Sequence, residues 1–245
     1  MLKKEEDILR YSVIKQKNPR EIVMLRGSGC KWRKCRFCNY HLDFSKDEKD
    51  NYVLNQQILN QVTGNYQRLE VINSGSFLDL DDDTVKLIED LCLQKGVKDL
   101  HIECHWMHRE EIKKYRNRFE AKGIRIHIKS GVETFDIEFR EKILVKGFGL
   151  ASPEEIARYF DDVCLLEGVK GQTVETIRKD IEVGLKFFDR VCVNIMMENG
   201  MPVKPDYDLI QQFKEQLYPI YVENERIDIL MENTEFGVGG KREDE

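Results

Sequence analysis

Cys30, Cys35 and Cys38 fall within nine positions of one another in the stretch "RGSGCKWRKCRFCNYHLDFS", residues 26–45, while the other four of the chain's seven cysteines stand singly. Thiolates at this density need compensation, and a metal centre supplies it better than the neighbouring Lys31, Arg33, Lys34 and Arg36 alone. Two centres suit the ligand types. One is a structural zinc, with His41 completing a Cys3His tetrahedron. The other is an iron–sulfur cluster held by three cysteines, which leaves one iron open to a non-protein ligand. A further group, His101, Cys104, His105 and His108 in "HIECHWMHREE", does not read as a metal site. If 99–103 is a strand, His101 and Glu103 point one way and Cys104 and His105 lie beyond its end. Cys92, Cys164 and Cys192 read as small buried apolar residues.

The elements that must carry the loop follow from patterning. Short β-branched runs at 21–26, 69–73, 99–103, 124–132, 163–168, 190–196 and 227–231 alternate with helical periodicity at 82–94, 153–160, 173–188 and 206–217. Alternating strands and amphipathic helices predict βα units on a parallel sheet. The expected fold is α/β, a partial (β/α)6 TIM-like barrel of parallel strands open on one side, with its site at the C-terminal strand ends. The cysteine loop follows the first run, where such a scaffold places chemistry. Ile124, Ile126 and Ile128 alternate with Arg125, His127 and Lys129, and Val191, Val193 and Ile195 with Cys192, Asn194 and Met196. One face of each strand is therefore expected to meet helices and the other a polar ligand.

At 245 residues the chain fits one domain, expected over 1–236, with a mobile tail "GVGGKREDE" over 237–245. No run approaches the roughly 18 apolar residues of a membrane span. The N-terminus lacks the apolar core of a secretory signal, so a cytoplasmic protein with reduced thiols is expected. The net charge is 39 − 45 = −6, which disfavours broad phosphate binding, so nucleic acid is not expected as a partner. A small-molecule substrate is the better expectation.

Beyond the cysteines, the chain resembles the radical S-adenosylmethionine (SAM) enzymes. Four residues separate Cys30 from Cys35 where the family usually has three, but Phe37 precedes the last cysteine, where the family packs an aromatic against adenine. "NSGSFLDL" resembles the segment that binds the methionyl amine, which implies Ser74, Gly75 and Ser76. Glu103 matches an acidic position that meets the ribose hydroxyls. "SGVETFDIEFREKILVKGF" resembles the segment reaching the ribose and the methionyl carboxylate, implying Ser130, Glu133, Thr134 and a cation, Arg140 or Lys146. "LLEGVKGQTVETI" is similar to a "GLPGQT" segment, with Lys170 in place of the proline. The resemblance implies one 4Fe-4S cluster on Cys30, Cys35 and Cys38, SAM as cofactor, and a flavodoxin or ferredoxin type electron donor.

Within that family the chain looks most like the branch acting on 7-deazaguanines. The chain ends soon after the expected barrel, leaving no RNA-binding appendage, so the resemblance implies a lyase splitting a carbon–nitrogen bond of a free, queuine-like base. Modification of a tRNA base or a tetrapyrrole is the alternative within the family, and a zinc-stabilised binding module the alternative outside it. A deazaguanine presents two adjacent N–H donors that one carboxylate can accept. On the expected ligand-facing parity Asp228 is the first choice, then Glu232, with Asn194 meeting the base's carbonyl.

Overall fold

The computed structural model describes residues 9–232, so the expected tail over 237–245 lies outside the described residues. Contacts group the chain into two compact units: residues up to Lys31 with Tyr40–His127, and Trp32–Asn39 with the chain from Ile128 onward.

In the first unit, β1 (Tyr11–Ile14) pairs antiparallel with β2 (Arg20–Leu25), and β3 (Arg68–Asn73) and β4 (Asp99–Glu103) follow in parallel. β1 was not expected from the sequence. Its turn puts Lys17 and Asn18 at positive φ, 41° and 31°, without a glycine to announce it. The buried Glu21 carboxylate holds the hairpin to the rest, accepting from Tyr11 Oη at 2.8 Å and from the backbone N–H groups of Thr63 and Gly64 at 2.7 and 2.8 Å. Helix α1 (Glu48–Leu59) starts where the Asp47 carboxylate accepts from the N–H groups of Lys49 and Asp50. It buries Asn51 and Asn55, which grip Arg26: Arg26 Nε donates to Asn51 Oδ1 at 2.8 Å, and Asn55 exchanges two bonds with the Arg26 backbone. Helix α2 (Asp82–Lys95) runs from an Asp81 cap to the left-handed Gly96, φ 69°. Helix α3 (Ile112–Glu120) leads into β5 (Arg125–Glu133). There His127 stacks on His101 with centroids 4.5 Å apart and meets Asp99 Oδ1 at 3.1 Å.

In the second unit β5 continues, and β6 (Asp162–Glu167), β7 (Arg190–Ile195) and β8 (Ile227–Leu230) pair in parallel in that order. Helices α4 (Pro153–Ala157), α5 (Val174–Phe187), α6 (Tyr207–Gln216) and the short α7 (Tyr218–Tyr221) lie between or beside them. The alternation read from sequence holds within the strands: Ile126, Ile128, Val191, Val193 and Ile195 are buried, whereas His127, Lys129, Cys192 and Asn194 are only partly so; Met196, just past β7, departs from it and is buried in an apolar cluster. A one-residue slip would exchange those faces. Each buried branched side chain contributes about 1.5–3 kcal/mol, so the register is strongly specified.

The α/β class with parallel strands is as expected, but the described strands number eight, not six. Six βα pairs are preceded by the antiparallel β1 and followed by β8. No helix among the described residues is long and apolar enough to cross a membrane.

Candidate active site

Cys30 follows β2 in the first unit and lies against the end of β3. A Cβ on Gly75 would stand 2.9 Å from Cys30 Cα, so only glycine lets the segment after β3 approach so closely. The turn is fixed by Asp79. Its buried carboxylate accepts from the backbone N–H of Ser76 at 3.1 Å and of Lys31 at 3.3 Å, and its Oδ1 lies 3.0 Å from His108 Nε2. Burial alone would raise the Asp79 carboxyl, but the His108 bond and the backbone donors outweigh it and hold the group below its ordinary range. His108 moves the other way: the bond to Asp79 raises it, against burial. Ser76 Oγ accepts from the His105 backbone N–H at 2.9 Å, and Asn73 Nδ2 donates to Ser76 O at 3.0 Å. Asn73 Oδ1 and Ser74 Oγ are buried with no hydrogen-bond partner. Two orphaned polar atoms beside a glycine cradle suit a ligand carrying an ammonium group.

Cys35 and Cys38 belong to the second unit, on a segment with fixed backbone. Arg36 N–H donates to Leu144 O at 3.1 Å, Val203 N–H donates to Arg36 O at 3.3 Å, and Asn199 Nδ2 donates to Phe37 O at 2.8 Å. Trp32 Nε1 donates to Val145 O at 2.9 Å, and its ring fills the space a Cβ on Gly147 would need. Phe37 packs against Leu144, Leu166, Val169, Met196 and Val203. Lys146 Nζ lies 5.5 Å over the Phe37 ring and 3.0 Å from Glu133 Oε1. Burial would pull the Lys146 ammonium down, but the Glu133 carboxylate and the Cys35 and Cys38 thiolates more than offset it, so the group stays charged. Glu133 sits at a register shift at the end of β5 with φ 70°, a left-handed backbone that a non-glycine residue adopts only under constraint.

The other expected residues divide. Glu103 ends β4 and is partly exposed. Ser130 is buried at 1% exposure on the parity of Ile128 and Val132, opposite to Lys129. Thr134 is buried, its Oγ1 accepting from the Asp136 N–H at 3.1 Å. Arg140 is fully buried, with Nε on Glu141 and Nη2 on the carbonyls of Gly149 and Ala151, whereas Lys146 is the cation beside Glu133. Arg190 Nη2 holds both oxygens of Asp228 at 3.1 and 3.0 Å near the N-terminal ends of β7 and β8, away from the strand ends where the site was expected. Glu232 is exposed beyond β8. Asn194 inverts its expected role: Nδ2 donates to Cys164 Sγ at 2.9 Å, and the buried Oδ1, which has no partner, offers an acceptor.

Sequence reasoning passed over three groups. Asp79 was detectable as the fourth residue of Ser76-x-x-Asp79, the spacing of a capping box. His108 was weighed only as a metal ligand. Glu167, at the end of β6, is fully buried with Oε2 held by Gln172 Nε2 at 2.7 Å, and burial followed by the nearby Asp180 keeps it well above its ordinary range. Among the described residues no three Cys, His, Asp or Glu side chains gather around a single-ion position.

No family model matches the chain, and no curated protein does. Among solved structures, a queuine lyase from Clostridium spiroforme bound to SAM and queuine is 43% identical, with 96% of this chain and 100% of that chain covered and a TM-score of 0.90. The fold is that of a radical SAM enzyme. Within that class, the chain belongs to the queuine lyase family.

Proposed function

We propose that this chain cleaves the carbon–nitrogen bond of queuine, releasing 7-aminomethyl-7-deazaguanine, with one 4Fe-4S cluster and SAM. The observation that carries the reading is the 43% identity over 96% of the chain to a lyase bound to those two molecules. The cluster, when bound, supplies the electron that cleaves SAM to the 5′-deoxyadenosyl radical, which takes a hydrogen atom from the substrate.

Cys30, Cys35 and Cys38 hold the cluster. The orphaned Asn73 Oδ1 and Ser74 Oγ, with the Gly75 cradle and Ser76, receive the methionyl ammonium. Lys146, kept charged by Glu133, receives the methionyl carboxylate, and Glu103 accepts from the ribose hydroxyls. The Phe37 ring, set in its apolar cluster, offers a face to the adenine. Asn194 Oδ1 accepts from an N–H of the base. The enzyme works in the cytoplasm, where a flavodoxin or ferredoxin type donor provides the electron.

The test is anaerobic incubation of the reconstituted protein with SAM, a reductant and queuine, followed by mass spectrometry. Equimolar 5′-deoxyadenosine and 7-aminomethyl-7-deazaguanine are expected. Turnover of SAM with intact queuine would refute the substrate, and an iron-free, colourless protein after reconstitution would refute the class.

A further inference from the structure

Cys164 on β6 and Cys192 on β7 are direct partners in the parallel register. Asn194 Nδ2 donates to Cys164 Sγ at 2.9 Å. Cys164 is 8% exposed and Cys192 is half-buried, so one sulfur of the pair is reachable and the other sheltered. Neighbouring strands stand about 4.8 Å apart. A disulfide joins Cα atoms separated by roughly 4.4–6.8 Å, so side chains paired in this way can be bridged with little backbone movement.

We propose that Cys164 and Cys192 are a redox-active dithiol that closes to a reversible disulfide, a modification site separate from the cysteine loop. The oxidant is a peroxide. The Cys192 sulfur, as thiolate, attacks the peroxide oxygen, breaking the O–O bond to give a sulfenic acid and, with hydrogen peroxide, one water. The Cys164 sulfur then attacks the sulfenic sulfur; the S–S bond forms, and hydroxide leaves with the Cys164 proton as the second water. Two thiols and one hydrogen peroxide give one disulfide and two waters, with two electrons passing from sulfur to oxygen. Roles follow from position. Cys192 is the accessible thiol, and its proximity, then burial, keeps the Cys164 thiol protonated until a sulfenic acid forms beside it. As that proton leaves, the Asn194 N–H steadies the charge on Cys164 Sγ. Oxidation replaces two polarisable thiols beside Asn194 with an apolar bridge.

The experiment treats the full-length, anaerobically purified protein with hydrogen peroxide, alkylates it, digests it and maps the peptides by mass. The expected product links the Cys164 and Cys192 peptides and reverts to two alkylated peptides after dithiothreitol. In Cys164→Ser, or in Cys164→Ala should the serine variant fail to fold, dimedone should label Cys192 as its sulfenic acid. Separate alkylation of both cysteines after the peroxide is consumed would overturn the proposal. So would a bridge from Cys192 to any cysteine of the loop.

Discussion

Asp79 Oδ1 stands 3.0 Å from His108 Nε2, and the same carboxylate gathers the backbone N–H groups of Lys31, next to Cys30, and of Ser76, next to Gly75. One side chain thus holds two loops that the proposed function sets against SAM. Asp79→Asn keeps the shape and loses the charge. Charged hydrogen bonds contribute about 1.5–3 kcal/mol, so the melting temperature should fall, and SAM affinity with it. Calorimetric titration separates the effects, and wild-type SAM affinity in a less stable variant would leave Asp79 with a purely structural role.

Gly75→Ala places a methyl 2.9 Å from Cys30 Cα, against backbone that cannot rotate away. Overpacking of this kind costs about 1–3 kcal/mol. SAM affinity should drop roughly tenfold or more, each factor of ten being about 1.4 kcal/mol. A variant that retains both its iron content and its SAM affinity would show that the segment does not approach the cofactor.

Arg140 and Lys146 should separate cleanly. Removing one partner of a buried ion pair costs roughly 3–5 kcal/mol, so Arg140→Met should lose stability while its folded fraction binds SAM normally. Lys146→Gln should weaken SAM binding in excess of its effect on melting. The opposite pattern in the two titrations would make Arg140 the ligand cation.

Asn194→Ala removes an acceptor whose loss leaves a substrate N–H unpaired, a penalty of about 1–3 kcal/mol, so the KM for queuine should rise by roughly 5- to 150-fold. Asp228→Asn should leave it unchanged, since Asp228 is occupied by Arg190. Normal queuine kinetics in Asn194→Ala would remove that residue from the substrate site.

Burial pushes the Asp180 carboxyl up to about 6 from 3.8, against Thr134 and the Phe135 N–H bond it accepts. A raised carboxyl stabilises the fold fully below its unfolded value, and that stability is lost as pH rises through 6. The change is about 3 kcal/mol at 1.36 kcal/mol per unit. Asp180→Asn keeps an acceptor for that bond and removes the titration. The variant should be more stable than wild type at pH 7 and lose the decline between pH 4 and 6, as denaturant melts across that range would show.

The parts of this fold legible in the sequence were those written in hydrophobic period. The isoleucines of β5 and the valines of β7 announced strands and faces because burial in one face requires period two. α1 was missed because the residues it buries include Asn51 and Asn55, which earn their place through Arg26 rather than through apolar area. β1 was missed because four half-buried residues after a charged leader carry too little pattern. Among site residues, the cysteines and the glycine-containing turn were visible as short-range spacing. The surroundings of Arg140 and Asp228 were not legible because a charge's partner is a long-range fact: sequence shows parity, not that Arg190 or the Gly149 carbonyl meets the side chain.

The cysteine segment in the second unit is anchored at Trp32, Arg36 and Phe37 by partners from residues 144–145, 199 and 203, all of them protein groups. In small zinc domains the metal's binding energy is also the folding energy, and the apoprotein is a random chain. Here the segment that carries Cys35 and Cys38 has a second source of shape, because its backbone is tied down by hydrogen bonds to the rest of its own unit.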